Sequence, residues 1–201
     1  MTTPSRESVA GLYRHVGRMA DLYGLVPLGE CTGARPWHTR GVYFFFDPEE
    51  PSEFAPSIGR IVRVGTHGLN SGSSSTLWGR LRHHRGHSDG SGNHRGSVFR
   101  KHVGSALLAR DGTKHATWGI RSSASREVRA SETEIEKRVS EYLGRLLVTY
   151  VPVPDEPGPG SMRGYVEIDS IGTLTVERNR WSRPTAGWLG HYSPAGCSHP
   201  G

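Results

Sequence analysis

The chain has 201 residues, 34% hydrophobic and 22% charged, enough to bury a core without disulfides. Its two cysteines and the lack of any CxxC exclude a secreted disulfide scaffold and a thiolate zinc site, and no apolar run approaches the ~18 residues of a membrane span. Net charge is +6, and all the basic residues except Lys101, Lys114 and Lys137 are arginine, whose planar fork suits paired phosphate oxygens.

Residues 7–25 place Val9, Leu12, Tyr13, Val16, Met19 and Tyr23 at helical spacing, which predicts an amphipathic helix. No h-region of a signal peptide opens the chain, so a cytoplasmic protein is expected. GVYFFFD at 41–47 predicts a strand and RIVRVGT at 60–66 a second, joined as a hairpin through a Pro/Gly loop. Alternation sets Val42, Phe44 and Phe46 on one face and Tyr43 on the other. In the second strand it pairs Val62 with Val64 and turns Arg63 the other way, so Tyr43 and Arg63 can share a polar face, subject to register.

The polar loop GLNSGSSS ends at Thr76, an N-cap for the helix that follows. Leu77, Trp78 and Leu81 form its buried stripe, Arg82 and His83 point outward, and Arg80 and His84 lie one turn apart at the stripe's edge. Residues 96–109 predict another helix. From Arg80 to His102 stand five arginines, one lysine and five histidines against one acid, Asp89, the electrostatic footprint of a nucleic-acid contact. A capping box at Ser131-Glu132-Thr133-Glu134 opens a helix reaching Leu143, with Ile135, Val139, Tyr142 and Leu143 inward. RLLVTYVPV predicts a third strand, and Ser161 a cap for a last helix that carries Glu167. Arg163 stands one turn before Glu167, the spacing of a surface ion pair. The expected architecture is an α/β domain: a small, mainly antiparallel three-stranded sheet flanked by helices. Residues 1–40 form an added helical extension, residues 41–180 the main domain with an inserted helix near 131–144, and residues 181–201 a Gly/Pro-rich tail.

This order of elements, with Gly41-Val42-Tyr43 on the first strand, Arg63-Val64-Gly65 on the second and Arg80 four residues before His84 on the next helix, resembles the GIY-YIG nuclease family. The likeness extends to NHRGSVF at 93–99, to Glu167 on the last helix and to Asn179. It implies a magnesium- or manganese-dependent endonuclease acting on DNA through one metal ion. Tyr43 would be the general base or water positioner with His84 relaying the proton, Arg80 the phosphate clamp, and Glu167 the metal ligand. His94 would hold a phosphate or Tyr43, and His67, Arg82, Asn93, Arg95 and Asn179 complete the expected DNA contacts. The chemistry suits phosphodiester hydrolysis, which needs an activated water, positive charge for the developing phosphorane oxygens and help for the leaving oxygen.

One departure stands out: Arg63 occupies the position where the family usually has a second tyrosine. Some family members with restriction activity carry a basic residue there. Two other readings compete. A basic nucleic-acid-binding module could keep the scaffold without the chemistry, for which Arg63 is the motivating residue. An HNH nuclease would use His83-His84, Asn93 and His102, with the first histidines on a strand. Specificity would come from residues 48–59, from the helix at 131–143 or from a partner in a homodimer.

Overall fold

A computed structural model describes residues 4–193, apart from the side chains of Arg178 and Asn179, so the expected role of Asn179 lies outside the described residues. The chain forms two compact units, one of residues 4–80 with 146–186 and one of residues 81–145 with 187–193. The helices are α1 (Arg6–Tyr23), α2 (Leu77–Arg85), α3 (Val98–Arg110), α4 (Arg126–Ser131), α5 (Thr133–Arg145) and α6 (Met162–Arg180), and the strands β1 (Val26–Pro27), β2 (Gly41–Asp47), β3 (Arg60–Gly65) and β4 (Leu147–Pro152).

In the first unit, α1 begins at a reciprocal cap between Ser5 and Ser8. The sheet is antiparallel throughout, in the order β1-β4-β2-β3. The expected three strands are thus four. β1 is too short to show alternation, and its Pro27 is tolerated because the strand lies at an edge. β2 is central and buried along its whole length, which its unbroken apolar and aromatic run requires. Val42, Phe44 and Phe46 join Val9, Tyr13 and Val16 of α1 in one core, against which Val166, Ile171 and Leu174 of α6 pack. Burial of side chains this size stabilises by roughly 1.5–3 kcal/mol each, so this core anchors the unit.

The expected sharing of one face by Val62 and Val64 is corrected by a bulge. Phe45 faces Arg63, whereas its neighbour Phe46 faces Ile61, so one extra residue enters β3. The shift brings Ile61, not Val62, into the core beside Val64. It leaves the register beyond it intact, with Tyr43 opposite Gly65.

A second buried anchor ties α1, β3 and α6 together. The Tyr13 hydroxyl donates to the Glu177 carboxylate at 3.1 Å and accepts from the Ile61 amide at 3.1 Å. Ser52 Oγ donates to the same carboxylate at 3.1 Å, and Arg60 lies 3.5 Å from it while donating to the Ser182 carbonyl at 2.6 Å. Burial outweighs these partners and holds the Glu177 carboxyl above its ordinary range.

In the second unit, α3 packs on α5. Capped by Ser97, it starts at Val98, two residues later than the start expected at Gly96, because Asn93 first caps a short 3-10 turn at His94–Gly96. The expected capping box also moves. Ser125 caps α4, Ser131 ends that helix by donating to the Val128 carbonyl at 2.8 Å, and Glu132 is drawn away to Arg95. The unit is centred on Glu136, which accepts from Arg100 Nη2 at 2.6 Å and from the His94 amide at 2.6 Å. Burial alone would raise the Glu136 carboxyl, but the His94 hydrogen bond and the Arg100 charge together hold it below its usual range.

Removing one partner of a buried ion pair strands the other without solvent, a loss of about 3–5 kcal/mol. Glu136→Ala is therefore expected to destabilise the protein by that amount, read as a lowered urea midpoint. Glu7→Ala, which removes only an exposed pair with Arg14, should leave the midpoint unchanged within error.

Candidate active site

The site is built at the end of β3. Tyr43, Phe45, Arg63 and Gly65 share one face of the sheet, because directly opposed residues of an antiparallel pair point the same way. The Tyr43 ring lies edge-on to Phe45, centroids 5.5 Å apart, and is fully buried. It covers Gly65: a β-carbon there would overlap the phenol ring and its hydroxyl. The glycine of the second tripeptide is thus the space that the tyrosine of the first one fills. The face shared by Tyr43 and Arg63, left open by alternation, follows from this register.

The residues just after β3 meet α6. The Thr66 hydroxyl donates to the Gly41 carbonyl at 3.0 Å, tying the end of β3 to the start of β2. The Thr66 amide also favours the ionised Glu167 carboxylate, as do the guanidinium charges of Arg63 and Arg80. Burial opposes all three and prevails, so the Glu167 carboxyl sits above its ordinary range. Among the described residues no cation lies within ion-pair distance of Glu167; Arg163, expected to pair with it, is engaged elsewhere. Its Nε donates to Asp155 at 2.5 Å and its Nη1 to the His67 carbonyl at 2.6 Å, and the side chain is wholly buried.

Arg80 lies on the first turn of α2 after the Thr76 cap, which accepts from the Gly79 amide at 3.1 Å. It is half-buried, and its charge acts on Glu167 and on His67 alike. His67 is buried, with Nδ1 3.1 Å from the Ser75 carbonyl. Burial first, then the charges of Arg163, Arg80 and Arg40, bring its pKa down to about 4. At neutral pH it is an uncharged imidazole. The DNA contact expected of it would therefore be made by an uncharged ring.

Other expected contacts have internal partners. His84 is fully buried rather than at the stripe's edge, with Nδ1 2.7 Å from Ser97 Oγ in the second unit. His94 accepts from the Gly119 amide through Nε2 at 3.1 Å, so its Nδ1 carries the proton that goes to Glu136 at 2.9 Å. Both nitrogens being engaged, His94 is a packing residue stacked 3.9 Å from the Trp118 ring, not a phosphate holder. Arg95 makes a two-pronged pair with Glu132, at 2.6 and 2.8 Å. The exposed Asn93 accepts from the Arg95 amide, while Arg82 is exposed on α2 as expected. His83 and His84 lie on a helix, which removes the strand that the HNH reading required.

Thr66, Asp155 and the clamping role of Arg163 on the end of β3 were not picked out from the sequence. Only THG, directly after the second tripeptide, could have signalled them, and its meaning depends on a carboxylate far along the chain.

The family model described as GIY-YIG domain matches residues 4–197. No curated protein and no solved structure matches the chain.

Two outcomes are expected of this geometry. Gly65→Ala should drive a methyl into the Tyr43 ring and destabilise the fold by about 1–3 kcal/mol in a denaturant titration. Glu167 has a folded pKa above its unfolded one, so its favourable contribution is complete only below the unfolded pKa and is lost as pH rises through the folded one. Glu167→Gln mimics the protonated form at every pH. Measured in chelator, it should melt higher than wild type at pH 7–8, with the gap closing as the pH falls through the folded pKa and gone by about pH 4.

Proposed function

The chain belongs to the GIY-YIG family, a nuclease family, and from that premise we propose that it is a divalent-metal-dependent endonuclease hydrolysing DNA phosphodiester bonds. The observation that carries this reading is that the charges of Arg63 and Arg80 both act on the buried carboxylate of Glu167, next to the strand end where Tyr43 covers Gly65.

Each group suits one requirement of the reaction. Arg80 and Arg63 offer guanidinium forks for the non-bridging oxygens, whose charge grows as water adds to phosphorus. Tyr43 is held rigidly by Phe45 and Gly65, which fits a phenol that orients the attacking water. Glu167 fits a divalent cation: it is a buried carboxylate with no ion-pair partner among the described residues. Magnesium or manganese suits one such ligand, since magnesium keeps most of its waters and is commonly held by one or two carboxylates. Among the described residues no cluster of three or more histidine, cysteine or acidic groups offers another site. When bound, the ion supplies positive charge to the leaving 3′-oxygen. Arg63 in the second tyrosine's place keeps the site basic, so the missing phenol removes a hydroxyl without removing charge from the strand.

Plasmid nicking in magnesium tests the reading. Arg80→Ala and Glu167→Ala should each lower the rate by about 10²–10³-fold, the usual loss for a group that stabilises charge in the transition state. Tyr43→Phe should also be impaired, and EDTA should abolish nicking by wild type. A wild type that binds DNA in a salt-sensitive way yet never cuts it would instead establish the binding-module reading.

A further inference from the structure

We propose that His67 is a catalytic residue of this site, the base that takes the proton of the attacking water through Nε2. The inference rests on the nuclease reading and deepens it.

Three observations carry it. The imidazole is 5% exposed and its Nδ1 lies 3.1 Å from the Ser75 carbonyl. A carbonyl can only accept, so Nδ1 holds the ring's one proton and Nε2 is left as a lone pair. Secondly, Nε2 is buried with no hydrogen-bond partner among the described residues, a rare condition for a buried polar atom and one that asks for a reason. Thirdly, His67 directly follows Thr66, whose amide acts on Glu167, and it lies within the field of Arg80, the group proposed to grip the phosphate.

The surroundings separate a base from the other roles a histidine could take. A phosphate contact needs a donor, and Nε2 has no proton to give. A metal ligand would need a cation to sit among Arg163 of α6, Arg80 of α2 and Arg40 before β2, three positive charges that act on this ring. The same charges, together with burial, keep the free imidazole unprotonated across the physiological range. They also make it a poor base until the substrate arrives. A phosphodiester on Arg80 brings a negative charge that offsets one of them, and basicity rises when a water is there to be deprotonated.

In the step itself, the water oxygen forms a bond to phosphorus as its proton passes to His67 Nε2. The bond from phosphorus to the 3′-oxygen breaks with its electron pair, and the departing oxygen is protonated by solvent. His67 afterwards returns its proton to bulk water.

His67→Asn tests the assignment, because the Asn amide can still donate to the Ser75 carbonyl but offers no basic nitrogen. Single-turnover cleavage of a magnesium-loaded sample should fall by about 10²-fold or more. Affinity for the same DNA in EDTA should stay within about threefold, as expected where no phosphate contact is lost. Added imidazole should restore cleavage in proportion to its unprotonated fraction. A variant that cuts like wild type, that loses affinity in parallel with rate, or that imidazole fails to rescue overturns the proposal. For wild type, the imidazole nitrogen spectrum should show the Nδ1-protonated tautomer from neutral pH to about pH 5. A proton on Nε2 at pH 7 also overturns it, whether or not the variant folds. Should wild type cut no DNA at all, the nuclease reading fails and takes this one with it. If wild type cuts and His67→Asn cuts equally well, only the role of His67 falls.

Discussion

A wholly buried guanidinium, that of Arg163, fixes the relation on which the rest of the first unit depends. It stands at the start of α6 and donates in three directions, to Asp155 before the helix and to the carbonyls of His67 and Gly68 beyond β3. Helical geometry then sets Glu167 one turn further along, beside the Thr66 amide. Without this clamp the N-terminal part of α6 would rest on packing of Val166 and Ile171 against the core, because the Glu177 network holds the far end of the helix. Dispersion and hydrophobic burial are not directional, so they hold a helix on a sheet without fixing its rotation. Hydrogen bonds from a rigid planar group do fix it, and arginine is suited to the task because its five donors cannot be deprotonated.

Arg80 acts on both titratable groups, joined by Arg63 at Glu167 and by Arg163 and Arg40 at His67. Positive charge favours an ionised carboxyl and disfavours an ionised imidazole, so it lowers both pKa values. Burial penalises whichever form is charged, which raises a carboxyl and lowers an imidazole. At Glu167 the two influences oppose each other and burial prevails. At His67 they add, and the ring is carried down to about 4. One environment thus keeps an anion discontented and a base neutral. A discontented anion favours a bound cation, and a neutral base can accept a proton, so both departures are in the direction that hydrolysis needs.

Much of this fold was legible from local signals, and the reasons differ by element. GVYFFFD could only be a buried strand, and Thr76 with the Leu77 and Leu81 stripe could only open a helix. The ordered tripeptides pointed to Tyr43, Arg80 and Glu167 because they mark positions on elements whose type was clear. What was not legible depended on single residues or on partners distant in sequence. The bulge at Val62 adds one residue to a strand and reverses its inward and outward positions, which no period-2 reading detects. β1 exists only because β4 lies beside it. The neutrality of His67 comes from burial first and then from arginines at positions 163, 80 and 40, brought together by the fold alone.

The basic strip between Arg80 and His102 shows where charge counting misleads. Its arginines and histidines divide into two populations. Arg82, His83 and His87 are exposed and keep the character that suggested a nucleic-acid surface. Arg95, Arg100 and His94 turn inward, where Glu132 and Glu136 of the α4–α5 region meet them more than thirty residues later in the chain. A buried charge is tolerated only when its desolvation is offset by opposite charge and by hydrogen bonds to its remaining donors, and Arg100 has both. Its guanidinium also fills the space a side chain at Gly92 would occupy, so the Gly/Ser loop at 87–92 is shaped by the arginine beside it. Local charge density therefore measured two things at once. The part of it that faces water can meet a phosphate backbone. The rest forms the polar centre of a small helical unit whose apolar faces alone are short, and it does so by holding α3 and α5 to one carboxylate.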